Sequence, residues 1–296
     1  MLFRSMALKN LNGTGVALVT PFRKNGTVDT EALQRIVKHV SDGGVEYLVV
    51  LGTTAESVTL SKTEKQIVLE TIQSANKKKL PVILGVGGNN TAEIIFQLDA
   101  KELKGVDAIL SVTPYYNKPN QTGLYEHYKA IARNSPLPVI LYNVPGRTGI
   151  NMTAETQLKL AHQFSNIIAT KEASGNMDQI QSIIKSKPKN FTVISGDDNL
   201  TLAMIACGAM GVISVSANAY PKQMSNMVRF AIKNNMVEAR KLHYQLFDIT
   251  NMMFAEGSPG GVKEILQYKG LCNNDVRMPL ANVSSALSKK IKSAML

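Results

Sequence analysis

The sequence predicts an α/β chain folded as a (β/α)8 TIM barrel with a small C-terminal helical domain. Three observations carry that prediction. Eight short apolar runs recur, beginning about 20 to 35 residues apart, with amphipathic stretches between them. Polar and special residues collect where those runs end. After Asn235 the strand-like runs stop and only helical periodicity continues. Strands alternating with helices imply a parallel sheet, and eight such units close into a barrel.

The runs are Gly15–Pro21, Tyr47–Gly52, Val82–Gly87, Ala108–Pro114, Pro138–Val144, Ile167–Ala173, Thr192–Asp198 and Gly211–Asn218. Each has the length of a buried strand. The stretches between them carry helix signals. Asp29 caps a helix whose apolar face is Leu33, Ile36, Val37 and Val40. Ser61-Lys62-Thr63-Glu64 reads as a capping box before Ile67, Val68, Ile72 and Ala75. Asn90 and Glu93 repeat that pattern before Ile94, Ile95 and Leu98, and Pro221 suits the first turn of a helix ending near Lys233. Helical periodicity then covers Met236 to Glu256, with Leu242, Leu246, Ile249 and Met253 on one face. A Gly-Ser-Pro-Gly-Gly break follows at Gly257–Gly261, and two more helical segments run from Val262 to Lys269 and from Val283 to the end. The predicted division is therefore a barrel over residues 1–234 and a helical domain over 235–296.

Composition narrows the function. The chain has 296 residues, of which 44% are hydrophobic, enough for a large core. No run of about 18 apolar residues occurs, so no membrane span is expected. The start, Met1-Leu2-Phe3-Arg4-Ser5-Met6, is too short and too quickly polar for a signal peptide, and Met6 is a candidate natural start. The two cysteines, Cys207 and Cys272, do not suggest a disulfide framework, and cytoplasmic residence is expected. The net charge of +11 raises nucleic acid as a partner, but the basic residues are spread. The densest clusters, Lys77–Lys79 and Lys185 to Lys189, lie at helix ends, where cations suit the helix dipole. No nucleic-acid partner is expected. His39, His127, His162 and His243 are scattered without metal-ligand spacing, so no metal is expected. Gly85-Val86-Gly87-Gly88 fails the dinucleotide fingerprint and reads as a tight turn.

The chemistry concentrates on Ile167-Ile168-Ala169-Thr170-Lys171-Glu172. An ammonium at the end of a buried strand is desolvated, which lowers its pKa and frees the amine to attack a carbonyl. Taken alone, Lys171 reads more readily as a salt-bridged or snorkelling side chain. The other strand ends reverse that balance. They carry Gly52-Thr53-Thr54-Ala55-Glu56-Ser57, Thr113-Pro114-Tyr115-Tyr116-Asn117, Tyr142-Asn143-Val144-Pro145-Gly146-Arg147-Thr148-Gly149 and Ser195-Gly196-Asp197-Asp198. Catalytic groups of a (β/α)8 barrel sit on that rim. Schiff-base formation needs proton transfers at the carbinolamine oxygen, which a Tyr hydroxyl shuttles. Threonine hydroxyls relay protons and hold a carboxylate, and an arginine offers a fork for a second one.

These motifs, spanning nearly the whole chain from Gly15 to Leu280, resemble those of the dihydrodipicolinate synthase family, pyruvate-dependent class I aldolases related to N-acetylneuraminate lyase. The resemblance implies that Lys171 forms an imine with pyruvate and that Tyr142 is the general acid/base beside it. It implies a proton relay in which Thr54 links Tyr142 to Tyr116, with Tyr116 supplied across a dimer interface. Thr53 and Thr54 would hold the pyruvate carboxylate, Arg147 the carboxylate of L-aspartate 4-semialdehyde, and Gly196 and Ile213 would line the site. The implied activity is the condensation of those two substrates in diaminopimelate and lysine synthesis. No cofactor is implied, and the implied assembly is a homotetramer built as a dimer of dimers. A sugar-acid aldolase or N-acetylneuraminate lyase would share the lysine imine but would not call for Arg147.

Two departures from the family pattern stand out. Ala55 takes the place of a glycine usual in the Gly-Thr-Thr-Gly-Glu-Ser motif. The pocket that binds feedback lysine in sensitive members corresponds to Ser57, Val58, Lys62, Lys65, Asn89, Glu93 and Tyr115. Histidines are frequent at positions 62 and 65 in sensitive enzymes. Two lysines there would repel a cationic effector, so weak or absent lysine inhibition is expected.

Overall fold

The structure, a computed structural model, describes residues 11–98 and 103–296. The opening segment Met1–Met6 lies outside the described residues. Eight parallel strands close a barrel in chain order, β1 to β8. The described residues divide into two compact units, Pro81–Val212 with Leu11–Asn12 and Gly13–Leu80 with Ile213–Leu296, the division falling within β8.

The second unit begins with β1 (Gly13–Ala17), α1 (Thr30–Asp42), β2 (Tyr47–Val50) and α2 (Lys62–Ala75). Strand β1 pairs in parallel with β2, Gly15 facing Tyr47. A Cβ at Gly15 would fall 1.9 Å from the Tyr47 ring, so only glycine lets this buried tyrosine cross the strand. The Asp29 side chain accepts from the Ala32 N–H and starts α1, which buries Leu33, Ile36, Val37 and Val40. Their spacing is the i, i+3, i+4, i+7 stripe of a helix facing a core, and each such side chain contributes about 1.5–3 kcal/mol on burial. The capping box of α2 is present: Ser61 Oγ accepts from Glu64 N at 3.2 Å and Glu64 Oε2 from Ser61 N at 2.9 Å. Its buried stripe is Val68, Leu69 and Ile72, and Ile67 stands 39% exposed, so the predicted face was set one position early.

The other unit carries β3 (Val82–Gly85), α3 (Thr91–Gln97), β4 (Ala108–Val112), α4 (Gln121–Asn134), β5 (Val139–Asn143), α5 (Pro145–Thr148), α6 (Ala154–Gln163), β6 (Ile167–Glu172), α7 (Met177–Ser186), β7 (Thr192–Ser195) and α8 (Thr201–Ala206). The strands are nearly continuous apolar runs because a parallel sheet is covered on both faces. Asn90 caps α3 by accepting from the Ala92 and Glu93 N–H groups, while the Glu93 carboxylate accepts from Gln97.

Strand β8 (Gly211–Ser214) is followed by α9 (Pro221–Ile232), α10 (Met236–Phe254), α11 (Gly260–Tyr268) and α12 (Ser285–Ala294). The eighth apolar run was expected to stay extended to Asn218. Instead it turns into a 3-10 turn at Ser216–Asn218. That turn lets Asn218 Nδ2 donate to Ala17 O at 2.7 Å and its Oδ1 accept from Val19 N at 3.2 Å, completing backbone bonds at the end of β1. The other strands likewise stop one to four residues before the predicted ends, because the chain curls into the rim loops. Helix α10 buries Leu246, Ile249 and Met253 as predicted, with Leu242 half-buried at the edge. Among the described residues no helix is long and apolar enough to cross a membrane.

Candidate active site

In the first unit, β5 and β6 pair so that Tyr142 faces Lys171 and Asn143 faces Glu172. Side chains alternate along a strand. Tyr142 and Lys171 therefore share one face, and Asn143 and Glu172 share the other. Lys171 is 5% exposed and its Nζ lies 4.3 Å from the centroid of the Tyr142 ring. The strand has thus brought an amine and a phenol together at its C-terminal end, both almost out of water.

Gly196, just past β7, fits against this pair. Its N–H donates to Glu172 O at 2.8 Å. A Cβ there would lie 2.6 Å from the Ala173 Cβ and 3.0 Å from the Lys171 Cε. The glycine is needed because the lysine stem passes directly over it.

The opposite face holds a polar network that sequence reasoning missed. Glu172 is fully buried. Its Oε1 accepts from Asn143 Nδ2 at 3.0 Å and from Ser174 N at 2.9 Å. Its Oε2 accepts from Gln157 Nε2 at 2.9 Å and Gln179 Nε2 at 3.1 Å. Gln157 is itself oriented by Thr170 Oγ1, which donates to its Oε1 at 2.7 Å, and Asn143 Oδ1 accepts from Met152 N at 3.0 Å. All the donors to the carboxylate are neutral. A buried carboxylate survives only when such donors replace water. The signal available in the sequence was the alternation itself: a carboxylate next to an inward lysine must face the helices.

The rim loops carry the remaining candidates of this unit. Arg147 is exposed on α5, a single helical turn closed by Gly149, whose N–H donates to Pro145 O at 2.9 Å. Thr113 Oγ1 donates to Thr148 Oγ1 at 3.3 Å, tying the loop after β4 to the one after β5. Tyr115 is half-buried, whereas Tyr116 is 88% exposed with a left-handed φ of 67°. Asn117 donates from its backbone N to Tyr115 O and from Nδ2 to Asn89 O at 3.0 Å, so Asn89 and Tyr115 share one loop cluster. Glu93 is exposed in the first turn of α3.

The second unit carries Thr53, Thr54 and Ile213. Past β2 the chain enters a 3-10 turn at Thr53–Ala55, with Thr53 exposed and Thr54 buried. Ala55 is not among the positive-φ residues and is 2% exposed, so its methyl costs no backbone strain where the family favours glycine. The next residue, Glu56, does adopt the left-handed conformation, at φ 53°. A second 3-10 turn covers Ser57–Thr59, with Val58 80% exposed. Lys62 is exposed at the start of α2 and Lys65 half-buried one turn later. Ile213 is buried within β8.

Residues 10–295 match the sequence profile of the Dihydrodipicolinate synthetase family. The chain belongs to this family. A 4-hydroxy-tetrahydrodipicolinate synthase of Flavobacterium psychrophilum is 55% identical over 279 residues, covering 94% of this chain and 95% of that one. A dihydrodipicolinate synthase of Acinetobacter baumannii, solved with pyruvate, superposes with a TM-score of 0.93 at 39% identity, covering 96% of this chain and 98% of that one. A monomeric dihydrodipicolinate synthase variant superposes with a TM-score of 0.93 at 36% identity, over 96% of this chain and 95% of that one. The barrel of the dihydrodipicolinate synthetase family is thus the fold that the eight apolar runs predicted, and the family is the one its rim motifs resembled.

Proposed function

We propose that this chain condenses pyruvate with L-aspartate 4-semialdehyde, the 4-hydroxy-tetrahydrodipicolinate synthase reaction, with Lys171 as its covalent catalyst. The observation that carries this is the registered pair of Tyr142 and Lys171, buried on one face at the end of β5 and β6. The Lys171 amine attacks the keto carbon of pyruvate, and Tyr142 moves protons to and from the carbinolamine oxygen until water leaves. The imine loses a proton from the methyl carbon to become an enamine. That carbon then bonds to the aldehyde carbon of the second substrate. The amine of the second substrate displaces Lys171 from the imine carbon, closing the ring and restoring the free lysine.

Thr53 and Thr54 hold the pyruvate carboxylate, and Thr54 and Tyr116 complete the proton relay. Arg147 receives the carboxylate of the semialdehyde through its planar fork. Gly196 and Ile213 line the site. The exposure of Tyr116 on a strained turn supports a partner subunit as its destination, within a homotetramer of two tight dimers. Cytoplasmic residence and the helical domain at 235–296 belong to the same reading. Two cations at Lys62 and Lys65 support weak or absent inhibition by lysine. The names carried by the relatives support the synthase over a sugar-acid aldolase.

The test is pyruvate turnover with L-aspartate 4-semialdehyde against N-acetylmannosamine, with borohydride trapping of pyruvate. Turnover with the semialdehyde alone, and trapping that Lys171→Met abolishes, are expected. Turnover with the sugar alone would overturn the substrate, and trapping that persists in Lys171→Met would overturn the lysine.

A further inference from the structure

A buried ionisable cluster outside the site lies in the second unit, directly beyond the Thr53–Thr54 turn. Glu56 follows that turn in a left-handed conformation that non-glycine residues rarely adopt. Its backbone is tied in on both sides. Glu56 N donates to Thr53 O at 3.0 Å, and Thr59 donates to Glu56 O from both N and Oγ1 at 2.9 Å. The side chain is 1% exposed, and both its oxygens are taken by the C-terminal part of the chain. Oε1 accepts from Lys263 Nζ at 2.5 Å, and Oε2 from Arg277 N at 2.8 Å.

Lys263 is equally enclosed. It is 0% exposed on α11, its Nζ also donates to Asp275 O at 2.8 Å, and it lies 4.2 Å from the Phe22 ring centroid. Burial pushes this ammonium below its usual pKa, and the Glu56 carboxylate opposes that shift. The Arg277 guanidinium is 4.4 Å from the same ring, and it donates to Thr59 O at 2.8 Å and pairs with Glu64.

A buried ion pair is a weak source of net stability, because desolvation offsets most of the attraction. What such a pair does is specify geometry: a carboxylate with both oxygens bonded has one place to sit. Here that place lies immediately after the two threonines. We infer that Glu56 and Lys263 are positioning residues, by which the C-terminal segment holds the Thr53–Thr54 turn in the conformation that receives the pyruvate carboxylate. The inference rests on the assignment of Thr53 and Thr54 above. It makes the helices after β8 part of the substrate site and explains a strained glutamate in the rim.

The test uses the full chain with Glu56→Gln and the double variant Glu56→Gln/Lys263→Met. The double variant avoids leaving one buried charge alone, which would threaten folding in Lys263→Met. In a reaction that proceeds through a covalent imine, kcat/KM for each substrate reports its own half of the reaction. We expect kcat/KM for pyruvate to fall about tenfold in both variants, a misplacement effect. Then kcat/KM for the semialdehyde should stay within about twofold, since Arg147 is untouched, and borohydride should still trap pyruvate on Lys171 at saturation. Equal losses for both substrates, or a lowered melting temperature with pyruvate kinetics unchanged, would overturn the inference. Absence of trapping in the unsubstituted protein would instead overturn the lysine assignment.

Discussion

Replacing Glu172 by glutamine isolates the network behind β6. The change keeps the volume and removes the charge, but it turns one oxygen into a donor. If the new NH2 takes the Oε2 position, it faces the donors Gln157 Nε2 and Gln179 Nε2, at 2.9 and 3.1 Å from that atom. If it takes the Oε1 position, it faces Ser174 N at 2.9 Å, a backbone donor that cannot turn round. Flipping Gln157 to compensate would break its bond from Thr170 Oγ1. In the first arrangement two hydrogen bonds are lost, although Gln157 Nε2 and Gln179 Nε2 keep their bonds to Met152 O, and in the second the Ser174 N–H loses its acceptor. An orphaned donor costs about 1–3 kcal/mol and a lost hydrogen bond about 1 kcal/mol, and the relief of burying a neutral group returns part of that. A net loss of about 1–3 kcal/mol follows, roughly 2–6 °C in melting temperature for a chain of this size. The same strand end carries Lys171, the proposed imine-forming group, and displacing such a group by about 1 Å costs about a hundredfold in rate. Thermal unfolding and pre-steady-state trapping of pyruvate measure both effects. A variant that melts within a degree of the parent and traps pyruvate at the parent rate would refute the argument that this carboxylate holds the lysine.

Gly196→Ala places a methyl 3.0 Å from the Lys171 Cε and should lower kcat/KM for pyruvate by about a hundredfold, with a stability loss of about 1–3 kcal/mol from overpacking; unaltered kinetics would show that the lysine stem has room to yield. His127, buried with Nδ1 2.8 Å from Thr91 Oγ1, is pushed down to about 4 by desolvation. Its neutral form is the folded one, so its contribution is complete above the unfolded value of 6.5 and is lost as the pH falls from there towards 4. The loss amounts to about 3 kcal/mol, and urea midpoints of the parent should fall more steeply between pH 7 and 4 than those of His127→Gln. Burial pushes the Cys272 thiol up to about 12 whereas Cys207 is exposed, so alkylation at pH 8 should modify Cys207 first and Cys272 only on unfolding, as peptide mass mapping would show.

Much of this molecule is local chemistry that one stretch of sequence dictates. The Asp29 cap, the Ser61–Glu64 box and the stripe of Leu33, Ile36, Val37 and Val40 depend on residues within two turns of each other. The eight apolar runs are visible because a strand buried on both faces tolerates few polar residues. Lys171 was legible as a site candidate for the same reason: it interrupts such a run at its C-terminal end. Strand ends were less legible, since Gly196 and Asn218 leave the sheet to satisfy bonds to other strands. Pairing across the fold was legible only where the family resemblance placed Tyr142 beside Lys171. The register that faces Tyr142 with Lys171 and Asn143 with Glu172 is set by two strands packing together, and a slip of one residue would reverse every face. The contact between Glu56 and Lys263 spans 207 residues of chain, and neither residue's neighbours in sequence announce it. Sequence alone determined which elements form and which residues cap them, because those energies are local. Tertiary structure decided which charges meet, because a buried carboxylate takes whatever donors the packed fold brings within 3 Å of it.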